Sequence, residues 1–135
     1  MSAWEIVITY LLMAILFLAI DLFWLGLIAK NFYQKHLGRF FSDKVNWKAA
    51  VIFYLLFLLG VMIFSVYPAV AQDSLMRAMI LGVLFGLFTY ATYDLTNLAT
   101  LKDWPVPVVI VDIVWGMVLC GTISVFGFGV AKWLS

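Results

Sequence analysis

Four long apolar runs decide what this chain can become. They cover about residues 3–29, 47–67, 75–101 and 106–134. Each reaches the roughly 20 residues that a helix needs to cross a bilayer core. Hydrocarbon offers no water to backbone N–H and C=O groups, so runs of this kind must be helices. A membrane β-barrel would need short alternating strands and polar turns, and the sequence has neither. Composition agrees: 67% of the 135 residues are hydrophobic and 11% charged, against about 25% charged in soluble domains. The expected fold class is all-α, an integral membrane four-helix bundle forming a single domain over residues 1–135.

The connections support that division. "YPAVAQDS" (67–74) places Pro68 at the end of span two and offers Asp73 or Ser74 as a cap for span three. "KDWPVP" (102–107) is a tight turn with Pro105 and Pro107 in the first turn of a helix, so spans three and four should form an antiparallel hairpin. Trp4, Trp47, Trp104 and Trp133 stand at span ends, where aromatic belts are expected. The first apolar run lacks a basic leader region and is long enough to cross, so no cleavable signal peptide is expected.

Orientation follows from the cations. Lys30, Lys35, Arg39, Lys44, Lys48 and Lys102 lie in or beside the first and third connections, while only Arg77 and Lys132 fall on the other side. By the positive-inside rule, the 30–48 loop faces the cytoplasm and both termini face outward, which in a Gram-negative cell is the periplasm. Within that loop, Phe32, Tyr33, Leu37, Phe40 and Phe41 interleave with Lys35, His36 and Arg39. This pattern predicts a short interfacial segment after the first helix, resting on the anionic lipid surface. The net charge of +1 carries no basic arm, which excludes nucleic acid as a partner. Cys120 is the only cysteine, so no internal disulfide can form.

Three carboxylates interrupt the apolar runs. Asp21 lies nine residues before Lys30, Asp94 eight before Lys102, and Asp112 nine after Asp103. At about 1.5 Å per residue, each sits roughly 12–14 Å below the same membrane surface. The spacing predicts that they converge in one layer of the bundle. Trp24 and Trp115 each follow an acid by three residues and so share its helix face. Their indole N–H groups could donate to a carboxylate on a neighbouring helix. Tyr90 precedes Asp94 by four residues and Asn97 follows it by three. Together with Thr89, Thr92, Tyr93, Thr96 and Thr100 they fill a continuous polar arc of roughly 200° on a helical wheel. Such a face is expected to line a wet cavity or meet other helices. Gly82 and Gly86 lead to Tyr90 and Asp94 in steps of four, and Gly116 and Cys120 follow Asp112 likewise. Small residues at that spacing form a close packing face.

Hydrogen-bonded polar residues in membranes contribute on average about 0.6 kcal/mol. An ionised acid at mid-bilayer costs about 2.5–3.5 kcal/mol even on the most lenient scale. Three acids therefore exceed what helix adhesion needs, and a ligand-binding layer is the better reading. Crowded carboxylates repel one another, so at least one is expected to hold a proton at neutral pH unless a cation binds.

The strings "DLFWLGLIAKNFYQKHLG" (21–38), "VNWKAAVIFYLLFLLG" (45–60), "YATYDLTNLATLKDWP" (90–105) and "VDIVWG" (111–116) run over nearly the whole chain. They resemble the bacterial membrane family catalogued as domain of unknown function 2177. The stretch from Asp94 to Thr100 is the most specific of them. The resemblance implies a small four-helix membrane protein and assigns no catalytic role to any residue.

Three functional classes remain open. The first is binding or translocation of a proton, a cation or a small polar or amphipathic ligand by Asp21, Asp94 and Asp112. Asn97, Tyr90, Trp24 and Trp115 would orient that ligand, and cations gain from the adjacent rings. Four helices make a thin wall for a path, which favours a homo-oligomer. The second is a membrane-embedded enzyme acting on a lipid or isoprenoid with acids of unequal strength. Whether the chain is an enzyme is not fixed by its residues. No cofactor is indicated, and acids spread over three helices do not make the usual clustered metal motif, so no metal site is expected. The lone His36 reads as a surface residue rather than a catalyst. The third class is an accessory subunit whose polar layer sets helix register.

Overall fold

The computed structural model describes all 135 residues. The chain is helical throughout. Helix α1 is Ala3–Ile28, α2 is Lys30–Leu37, α3 is Trp47–Ala71, α4 is Leu75–Thr100 and α5 is Val106–Leu134. Helices α1, α3, α4 and α5 are long and apolar enough to cross a membrane. Three of the starts are capped by side chains: Ser2 accepts from the Glu5 N–H, Asn46 from Ala49, and Ser74 from Arg77. Asp73 and Asp103 adopt left-handed backbone conformations in the two tight turns, which a short polar side chain tolerates.

The spans alternate in direction. The chain ends and the 72–74 turn share one end of the bundle, and the other two connections share the opposite, basic end. Helix α5 is the centre. Within its apolar window 50% of residues are buried, against 17–28% in the other three spans. Its closest partner is α4. A side chain at Gly86 would overlap the Gly116 carbonyl, and one at Gly82 would come within 2.6 Å of the Cys120 carbonyl oxygen. The two backbones approach this closely only because no Cβ stands between them. Met13 and Phe17 of α1 join Leu58, Val61 and Val66 of α3 and Leu119 and Ile123 of α5 in the main core.

Helix α3 departs from expectation. Its helix does not end at Pro68 but continues to Ala71. The backbone widens into a π-helical turn over Met62–Val66, where Tyr67 N–H bonds the Met62 carbonyl. Proline normally breaks a helix because it lacks an N–H and crowds the carbonyl four residues back. Here the ladder has already changed register, and Pro68 stands in the first turn of the helix that resumes. Towards the basic end α3 leans away from α4 while Tyr54 and Leu55 still bond α1, and none of residues 47–56 is buried.

The first connection is a short helix, α2, followed by a single 3-10 turn over Gly38–Phe40. Tyr33 and Leu37 pack inward against Trp104, Val108 and Val109. Phe40 and Phe41 remain exposed beside Arg39. Trp4, Trp47 and Trp133 are exposed at span ends, but Trp104 is only 7% exposed. It therefore does not belong to an aromatic belt; it is held under Phe40 and against the edge of Tyr93.

At the far end, Lys132 Nζ meets Asp73 Oδ1 at 2.8 Å, with both side chains substantially solvent-exposed. Such pairs contribute little, about 0.2–1 kcal/mol. Lys132→Ala is expected to lower thermal stability by no more than that, with the difference vanishing at high salt in a detergent melting experiment.

Candidate functional site

Asp21 and Asp112 line one cavity, and Asp94 lies beside Asp112. Asp21 of α1 accepts from two donors: Tyr54 Oη of α3 at 2.8 Å and Trp115 Nε1 of α5 at 3.3 Å. Asp112 of α5 accepts from the Tyr33 hydroxyl of α2. Tyr33 in turn receives the Trp24 indole N–H at 3.3 Å. The rings of Trp24 and Trp115 stack at 4.3 Å with planes 8° apart, linking the Asp21 and Asp112 ends of the layer. Burial, reinforced by the bond to Asp112, raises the Tyr33 hydroxyl above the ordinary tyrosine value, so it remains a donor. Trp24 opens a π-helical turn, Trp24–Ile28, at the end of α1. Such turns often occur at functional sites because they re-aim a side chain.

Asp94 of α4 differs from the other two. It is completely buried, and neither carboxyl oxygen has a hydrogen-bond partner. Its neighbours are Asp112 and the Trp104 indole, whose N–H is also unpartnered. No lysine or arginine pairs with any of the three acids; the one ion pair of the chain is Lys132–Asp73. Arg39 donates instead to the Asp103 carbonyl, and His36 faces the Phe32 carbonyl on its own helix.

Two cavities open around this layer. One, of about 420 Å³, faces the basic end and is lined by Asp21, Asp112 and Trp115 together with Lys30, Gln34 and Tyr33. The other, of about 740 Å³, lies between the leaning half of α3 and the outer face of α4. Phe53, Phe57, Phe88, Thr89 and Thr92 form its walls. Tyr90, Tyr93 and Asp112 line both. Tyr90 lies flat on Gly116 with its ring edge-on to Phe57 at 6.2 Å. It bounds the site without bonding an acid.

The remaining candidates are placed differently. Asn97 forms no hydrogen bond with an acid and lines neither cavity; it sits beside Tyr93, half-buried. The polar arc of α4 is not turned inward as a whole. Thr92, Thr96 and Thr100 are exposed, and their hydroxyls bond the carbonyls of Phe88, Thr92 and Thr96 one turn back. That internal bonding makes a threonine face tolerable outside the bundle.

Three contributors escaped the sequence reading. Tyr33 lay in a connection, and Trp104 resembled a belt residue. Tyr54 carries no charge, yet it follows the start of α3 by seven residues, about 10 Å, close to the depth of the acids. Comparison with known proteins agrees with the architecture. No curated protein and no solved structure matches the chain. One family does match, described as Predicted membrane protein (DUF2177), over residues 6–129. With nearly the whole chain covered, this four-span protein belongs to that family.

Proposed function

We propose that this is a bacterial inner-membrane protein that binds, and in an oligomer translocates, a proton, a cation or a small amine-bearing ligand at Asp21, Asp94 and Asp112. The cation asymmetry supports an arrangement with the 30–48 loop in the cytoplasm and both termini in the periplasm. In that orientation the smaller cavity is a cytoplasmic vestibule leading to Asp21 and Asp112.

The observation that carries this reading is Asp94. A buried polar group without a partner is strongly unfavourable. Chains keep such groups where function needs them, at the expense of stability. Asp94 and Asp112 repel when both are ionised, and a proton or a cation between them relieves the repulsion. Asp21 differs, since two donors satisfy it, and that favours a positioning role for its carboxylate.

The two roles predict opposite effects on stability. Asp94→Leu removes an unsatisfied carboxyl and is expected to raise the thermal stability of the purified protein by about 1 kcal/mol or more. The same change should abolish the response to ethylammonium, read as a melting-temperature shift and a change in tryptophan emission from the Trp24–Trp115 stack. A destabilised Asp94→Leu protein that still responds to ethylammonium would make the acid a structural element and end this reading.

A further inference from the structure

The larger cavity faces the lipid side of the bundle. Phe53, Phe88 and Tyr93 on its rim are 52–63% exposed, and Phe57 packs on Phe85 at 5.3 Å to close its inner end. Gly60 admits the Phe85 ring at that closure, so α3 and α4 touch there and diverge towards the basic end. The space has a largely aromatic wall, interrupted by Thr89 and Thr92, and one acid, Asp112. Asp94 stands beside that acid, fully buried and unpartnered. At about 740 Å³ it falls within the range of small-molecule sites, roughly 300–1,000 Å³.

From this we infer that the α3–α4 cleft is a lateral binding groove for a membrane amphiphile with a hydrocarbon tail and a cationic amine head. The tail lies along Phe53, Phe57 and Phe88. The head reaches Asp112 and Asp94, with Tyr90 and Tyr93 flanking it. The charge sense is set by the carboxylates, which no cationic side chain pairs in this structure. An anionic head would be repelled by the Asp112 carboxylate at the end of the cleft. A neutral tail alone would leave the acids as they are. The aromatic lining also favours an ammonium through cation–π attraction. This inference rests on the acid-binding reading above and adds the class of ligand and its route, sideways from the bilayer rather than through the vestibule.

The test uses the full chain in phosphatidylcholine nanodiscs and dodecylammonium carrying a diazirine at its tail end. Photolabelling is expected on peptides containing Phe53–Phe57 and Phe88–Thr92, at least tenfold above that by a matched chain ending in a carboxylate. Thr92→Trp, at the exposed rim, should cut groove labelling at least tenfold, and Thr89→Trp serves as a second block deeper in the wall. Leu56→Trp, exposed on α3 outside the cleft, should leave labelling unchanged. Equal labelling by both head groups, or labelling spread evenly around the lipid-facing side of α3, overturns the groove. Ethylammonium binding to the unaltered protein separates the two levels. If it binds while the long-chain probe shows no preference, the groove alone is wrong. If it does not bind and head-group preference is also absent, the acid site fails with it.

Discussion

Gly86→Val will disrupt the contact on which the bundle is assembled. The Gly86 Cα faces the Gly116 carbonyl across the α4–α5 interface, and an added Cβ would overlap that backbone oxygen. A flexible side chain could move aside, but a carbonyl on a central helix cannot. Overpacking a core costs about 1–3 kcal/mol where neighbours can adjust, and here the helices themselves must separate. The expected result is a loss of about 3 kcal/mol or more, seen as a sharply lowered melting temperature in detergent. Gly129→Val is the control, because a Cβ at Gly129 meets nothing within 4 Å, and it should change stability little. A Gly86→Val protein as stable as the control would show that the interface is looser than described.

Asp21→Leu will also destabilise, by a different route. It strands the Tyr54 hydroxyl and the Trp115 indole N–H, which both donate to this carboxylate. Both donors are partly buried, so stranding each one costs up to the roughly 1–3 kcal/mol of a fully buried unpaired donor. Asp21→Asn keeps an acceptor oxygen and should retain most of the stability. The contrast with Asp94→Leu is the informative part: one buried acid is expected to stabilise the fold and the other to oppose it. Melting curves of the three variants side by side decide this. Equal destabilisation by Asp21→Leu and Asp94→Leu would remove the distinction between a satisfied acid and an unsatisfied one.

Much of the architecture is legible in the residues. Length and hydropathy mark the four spans, and Pro105 with the short 102–105 turn requires the hairpin. The glycine stripe gives its packing face. Distances counted from Lys30, Lys102 and Asp103 bring the three acids to one level without any knowledge of side-chain direction. What stayed hidden depends on direction and register. Pro68 looked terminal because a π-helical turn leaves no sequence signature at Met62–Val66. The threonines of α4 looked inward because a helical wheel records polarity and not the carbonyl one turn back that satisfies it. Trp104 stands where a belt residue would, and only its packing on α2 and α5 turns it inward. Tyr54 stands in an apolar stretch of a span with no acid of its own, so nothing beside it marks it as a polar contact.

The central position of α5 has a consequence for how the protein is made. It leaves the ribosome after the other three spans, yet α1 and α4 both pack on it. The first two spans therefore enter the bilayer before their main docking surface exists, with only their contacts to each other. During that interval Asp21 lacks the Trp115 donor and crosses into lipid without its final company. Its place about two turns from the basic end of α1 lets the carboxylate draw water from the nearby surface while it waits. Synthesis of the C-terminal hairpin then converts four tolerated insertions into one folded unit.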